Sequence, residues 1–80
     1  IPFSSQARIQ VLYKDVPLRQ YYVPDLLCFD QIIVELKVLE RLTGVEHSQI
    51  INYLKATKHR VGVLVNFGSL GRMEWKRFVI

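Results

Sequence analysis

Three ionisable side chains stand in apolar company: Asp25 within Val23-Pro24-Asp25-Leu26-Leu27, and Glu35 and Lys37 within Val34-Glu35-Leu36-Lys37-Val38. An unpaired carboxylate is costly to bury, so groups placed like this are paired, turned to a polar sheet face, or ligating a cation. A catalytic site would use the two carboxylates and the lysine together. On these residues alone, a surface ion pair of Lys37 with a carboxylate is the simpler reading, because an Asp ahead of a Glu-x-Lys arises by chance in many proteins.

Whether the three can meet depends on the elements that carry them. Ile32 to Val38 is β-branched at its start and then alternates, which makes a central strand with Ile33, Glu35 and Lys37 on one face and Ile32, Val34, Leu36 and Val38 on the other. Ahead of it, Ala7 to Tyr13 alternates as a strand, Lys14-Asp15 reads as a tight turn, and Val16 to Phe29 reads as a second strand with a bulge or an edge at Pro24, which lacks a ladder donor. Asp30-Gln31 supplies the next reversal. If that reversal were a regular two-residue hairpin, Asp25 would face Leu36 and project from the opposite side of the sheet to Glu35. Convergence needs an odd-length loop around Phe29 to Ile32, or one bulge, and the sequence is expected to provide one.

Downstream, Thr43-Gly44-Val45-Glu46 has the form of a capping box and predicts a helix running to about Lys58. His47, Ile50, Ile51 and Leu54 share its apolar stripe, while Gln49 and Tyr53 lie one turn apart at the margin. Val61 to Phe67 is a buried strand, Gly68-Ser69-Leu70-Gly71 a turn, and Met73 to Ile80 a last strand. The order β-β-β-α-β-β predicts an α/β core with a mixed sheet and a right-handed strand-helix-strand crossover.

Composition narrows the setting. Eighty residues make a single domain, 1–80, and half of them are apolar, 11% aromatic and 22% charged, a balance that supports a core and excludes global disorder. No apolar run reaches the length of a membrane span, so no membrane partner is expected. Eleven Lys and Arg against seven Asp and Glu leave a net charge of +4, which favours an anionic partner. The single cysteine, Cys28, can form neither an internal disulfide nor a multi-cysteine zinc site, and a cytoplasmic location is the simplest expectation.

The pattern extends beyond the three ionisable groups. Pro24-Asp25, nine intervening residues, Glu35-Leu36-Lys37 in a strand and then Gln49-Ile50-Ile51-Asn52-Tyr53 in a helix resembles the PD-(D/E)XK nuclease superfamily, including the Gln-x-x-x-Tyr element of its RecB-type nucleases. Over essentially all of the chain, the sequence is similar to the bacterial GxxExxY proteins. The similarity rests on Ile33-Val34-Glu35-Leu36-Lys37, Glu40-Arg41-Leu42, Asn52-Tyr53-Leu54-Lys55-Ala56-Thr57, Val61 to Gly68 and Lys76-Arg77, with Asn-Tyr-Leu and Asn-Phe-Gly its most specific stretches. The resemblance implies a restriction-endonuclease-like core lacking its N-terminal helix, because no Gly-x-x-Glu-x-x-Tyr occurs here. A truncated start is therefore expected.

What the resemblance implies chemically is Mg2+- or Mn2+-dependent hydrolysis of phosphodiester bonds in DNA. Asp25 and Glu35 would be metal ligands, with the Leu36 carbonyl as a third. Lys37 would orient or help deprotonate the water and offset transition-state charge. Gln49 and Tyr53 would hold the lysine, the water or a phosphate, although both are equally ordinary as helix-sheet packing. The competing function is a nuclease-like module that binds nucleic acid or a protein partner, a second copy of the chain included, without cutting. His47 reads as a rim residue of the core, Cys28 as a small core residue, and Glu40, Arg41, His59 and Arg60 as solvated charges. Trp75, Lys76 and Arg77 could touch nucleic acid or simply form an amphipathic strand.

Overall fold

The structure, a computed structural model, describes residues 1–68 and 71–80. Its elements are β1 (Phe3–Ser5), β2 (Ile9–Tyr13), β3 (Val16–Tyr22), β4 (Leu26–Cys28), β5 (Ile32–Lys37), α1 (Gly44–Thr57), β6 (Val61–Asn66) and β7 (Glu74–Val79). Among the described residues they make a five-stranded sheet in the order β1-β4-β5-β6-β7 and a separate two-stranded sheet, β2-β3. The large sheet is mixed: β5 and β6 run parallel, joined through α1, and every other pair is antiparallel. This α/β arrangement is that of a restriction-endonuclease-like core.

One strand expectation is corrected. The stretch from Val16 to Phe29 is not one strand, because the chain leaves the hairpin at Tyr22 and re-enters order at Leu26 in the other sheet. Pro24 is the physical reason: it cannot donate to a ladder, restricts the residue before it, and is itself fully buried. The strand expected over Ala7 to Tyr13 forms as Ile9–Tyr13, and its pairing shifts register between Gln10 and Leu12 because β3 carries the extra residues there. A short first strand, β1, pairs with β4 where the sequence carries no strong signal. Of the turn expected at Gly68 to Gly71, Ser69 and Leu70 lie outside the described residues.

The β2-β3 turn takes positive φ at both Lys14 (48°) and Asp15 (64°), the twist that a two-residue hairpin needs. The β4-β5 connection is longer by one residue. Phe29 and Asp30 have φ of 54° and 56°, Gln31 N–H donates to the Cys28 carbonyl at 3.0 Å, and Cys28 pairs with Ile32 across a three-residue loop.

Helix α1 starts where the capping box places it. Thr43 Oγ1 accepts from Val45 N–H at 3.2 Å, and Thr43 N–H donates to Glu46 Oε1 at 2.8 Å; these Thr43 bonds hold the Glu46 carboxyl below its ordinary range. It ends at Lys58 in the left-handed region, whose N–H returns to the Leu54 carbonyl. Ile50 and Leu54 pack on Leu27, Ile33 and Leu64 to form the buried core, flanked by Ala7, Ile9, Tyr22, Leu42, Ile51 and Phe78. Gly62 sets the depth of this contact, since a Cβ there would lie 2.8 Å from Ile50 Cδ1. Across the sheet, Val34, Val61, Val63 and Val65 are half-buried, and Leu36 and Trp75 are exposed. No helix among the described residues is long and apolar enough to cross a membrane.

Candidate active site

The three-residue loop decides which side chains meet. With Leu26 opposite Val34 and Leu27 opposite Ile33, the same register puts Asp25 opposite Glu35, on the face where Ile33 packs against the helix. Asp25 itself lies one residue outside β4. Freed from the ladder, its carboxylate replaces a strand carbonyl: Asp25 Oδ2 accepts the Leu36 N–H at 2.7 Å. The Lys37 carbonyl accepts from Phe67 N–H at 2.9 Å on the β6 side. Successive carbonyls of a strand point to alternate edges, so the Leu36 carbonyl is turned to the edge where Asp25 sits.

Glu35 is buried at 9% exposure. Burial pushes its carboxyl above the ordinary range, and the Lys37 charge opposes that rise only in part. Among the described residues Glu35 Oε1 meets no hydrogen-bond partner. A buried, orphaned carboxylate oxygen costs stability unless something absent from the fold occupies it. Asp25, Glu35 and the Leu36 carbonyl could together offer only oxygen donors, which would suit a hard divalent cation and not a soft one. No group of three or more His, Cys, Asp or Glu side chains gathers among the described residues, so a third protein donor here would be the Leu36 carbonyl.

Lys37 projects from the same face as Glu35, and its Nζ donates to Gln49 Oε1 at 3.1 Å, bringing the first half of α1 to the end of β5. Four expected residues thus converge: Asp25, Glu35, Lys37 and Gln49. Tyr53, one turn further along the helix, stacks on Tyr22 with ring centroids 4.1 Å apart and planes 22° from parallel. Its place is between helix and hairpin. His47 packs on Phe78, centroids 5.3 Å apart, as a rim residue would. In β7, Trp75 and Arg77 pair with Val65 and Val63 on the sheet face away from Glu35, while Lys76 pairs with Leu64 on the near face. Trp75 and Arg77 therefore do not share the site's face.

Sequence reading missed two supports. Asn66 is fully buried opposite Lys37, where its Oδ1 accepts from Leu39 N–H (2.8 Å) and Gly68 N–H (3.1 Å). Its Nδ2 donates to the Leu39 carbonyl (2.9 Å) and to Glu74 Oε1 (3.0 Å). Glu74 Oε1 also accepts from Leu42 N–H at 3.2 Å, so the segment leaving Lys37 is clamped at both ends. A Cβ at Gly68 would fall 2.5 Å from the Leu39 carbonyl oxygen, which is why the clamp reads Asn-Phe-Gly. Tyr22 is the other support; its stack on Tyr53 fixes the chain three residues before Asp25. An Asn at the end of an otherwise β-branched strand was the available signal for the first, and nothing local marked the second.

The isolated Glu35 yields a stability prediction. Its folded pKa lies above the unfolded value, so the proton is held more tightly in the native state; the associated stability is present at low pH and lost as pH rises through the folded pKa. Glu35→Gln is therefore expected to melt higher than the parent at pH 7, with the gap closing as pH falls below the ordinary glutamate range. For a chain of this size each 1 kcal/mol is worth roughly 4–8 °C. Melting curves at pH 7 and pH 4 check it, and a variant less stable than the parent at pH 7 would contradict the burial argument.

Among known proteins, no curated protein and no solved structure matches the chain significantly. A family model described as the PD-(D/E)XK nuclease superfamily matches residues 1–78. That span takes in the carboxylate pair, the lysine, the helix that meets it and the Asn66 clamp, and on it the chain belongs to the PD-(D/E)XK nuclease superfamily.

Proposed function

We propose that the chain is a Mg2+- or Mn2+-dependent nuclease that hydrolyses phosphodiester bonds of DNA, with Asp25, Glu35, Lys37 and Gln49 at its active site. The observation that carries this reading is the orphaned, buried Glu35 Oε1 on the same sheet face as Asp25 and next but one to Lys37. Asp25, Glu35 and the Leu36 carbonyl would hold the ion, which when bound supplies charge neutralisation at the phosphate and a more acidic water. The chain's own residues do the positioning. Asp25 is anchored through Leu36 N–H, and Gln49 holds the Lys37 ammonium so that it can stabilise charge developing on the phosphate without reorganising. Tyr53 supports this from behind by locking α1 to the hairpin. The Asn52-Tyr53-Leu54 and Asn66-Phe67-Gly68 stretches further support the GxxExxY branch of the superfamily.

The test is direct. Incubated with single- and double-stranded DNA, the chain should cleave in Mg2+ or Mn2+ and not in EDTA, and calorimetric titration should show Mn2+ binding that Asp25→Ala weakens at least tenfold. Equal Mn2+ binding by parent and variant, or no cleavage with either ion at enzyme in excess over substrate, rejects the assignment.

A further inference from the structure

The large sheet is covered on one face only. Helix α1 and the β2-β3 hairpin both pack on the side of Ile33 and Leu64, where the core and the candidate site lie. The strand registers carry the other face from edge to edge: Phe3 of β1, Leu26 of β4, Leu36 of β5, Val63 and Val65 of β6 and Trp75 of β7 all stand on it. Phe3 and Trp75 are each 64% exposed. Among the described residues of these five strands, the single charge on this face is Arg77, at the β7 edge.

Strands of this kind do not ordinarily stand open. β5 and β6 run parallel, and parallel strands are nearly always covered on both sides. The chain presents 5887 Å² of surface, whereas a folded monomer of its 9.4 kDa presents about 5,000 Å². The surplus, on the order of 900 Å², matches the ~800 Å² that each partner gives to an interface of standard size.

A second copy of the chain is the occupant that this face fits. Twofold pairing sets a patch against its own image, so a charged patch repels itself, whereas an apolar one with its lone cation on an edge strand does not. Two sheets of the same twist also stack face to face about 10 Å apart, their inner side chains interdigitating. We propose that the chain forms a twofold dimer through this sheet face, burying Leu36, Val63, Val65 and Trp75 between the two sheets. Glu35 and Lys37 lie on the other face, so both candidate sites stay open and point away from each other. Pairing does not depend on whether the chain cleaves DNA.

Trp75 is the only tryptophan, so its fluorescence reads the interface directly. As the chain is concentrated from nanomolar to high micromolar, sedimentation equilibrium should show the mass rise from 9.4 kDa to a plateau at twice that value. Over the same range Trp75 emission should move to the blue and lose its quenching by acrylamide. Cys28, three strands away on the same face, should become slower to alkylate in step. Trp75→Glu should weaken dimerisation at least about a hundredfold, as loss of a central anchor does, whereas Lys76→Glu, exposed on the same strand but on the helix side, should leave it within about threefold. Circular dichroism confirms that both variants fold, and the measurements on the parent chain need no variant. A monomer throughout gives the face to another occupant and overturns the proposal, as does a mass that climbs past the dimer without a plateau. A dimer in which Trp75 or Cys28 stays as accessible as in the monomer, or which Trp75→Glu leaves intact, also overturns it, because the copies then meet elsewhere.

Discussion

Lys37→Ala is expected to lower Mg2+-dependent DNA cleavage by about 10²- to 10³-fold, the usual effect of removing one preorganised group that faces developing charge. The ammonium is held by Gln49 Oε1 at 3.1 Å and projects beside Glu35, so it is fixed before substrate arrives. Its loss acts in a second way. Lys37 is the charge that opposes the desolvation of Glu35, and without it the Glu35 carboxyl moves further above its ordinary range, so the pH at which activity is half-lost on the acid side should rise in the variant. Lys37→Arg is not expected to rescue, because a planar guanidinium cannot reproduce the single donor geometry at Gln49. The fold should survive, since Lys37 is only half-buried and the Gln49 side chain it bonds is exposed. Single-turnover cleavage with folded protein decides: a variant within threefold of the parent removes Lys37 from the chemistry.

Asn66→Ala should cost about 3 kcal/mol, or roughly 12–24 °C in melting temperature, because it leaves buried backbone groups without partners. Leu39 N–H and C=O and Gly68 N–H all depend on this one amide, which is wholly removed from solvent. Asn66→Asp separates the halves of the effect. It keeps the acceptor for Leu39 and Gly68 N–H but sets an oxygen against the Leu39 carbonyl and Glu74, so it should be about as damaging as Ala at pH 7 and less so in acid. Thermal denaturation of both variants reads this out. If Asn66→Ala melts within a few degrees of the parent, the segment after Lys37 is held by something other than the clamp.

Local chemistry made much of this arrangement legible in the sequence. The capping box fixed the start of the helix because both of its bonds lie within four residues, and the two-residue alternation put Ile33, Glu35 and Lys37 on one face because that period is a property of any strand. The contact of Gln49 with Lys37 could be expected only through resemblance, since it spans a loop whose course depends on Asn66, and Asn66 looks like any polar strand end until Leu39, Gly68 and Glu74 are in place around it. Pro24 reads locally as a bulge or an edge in one strand. The choice between bulging and breaking belongs to the competition of two sheets for the same segment, which no window of local sequence contains. Tyr22 was missed for a related reason: a tyrosine in a hairpin is ordinary, and its value comes from a ring thirty-one residues away.

The loop from Phe29 to Gln31 is exposed, faces away from the chemistry and bears no candidate site residue, the kind of place where chains ordinarily tolerate inserted or deleted residues. Here the freedom stops at its two ends. Asp25 and Glu35 each lie three residues from the Cys28–Ile32 pair, so the loop can lengthen or shorten while that pair holds and the carboxylates stay opposite, whereas one residue gained or lost between Asp25 and Cys28, or between Ile32 and Glu35, would turn one of them to the far side of the sheet. A lineage that shed a single residue on either side of this remote turn could keep its fold and every residue of its motif while losing the means to bring them together.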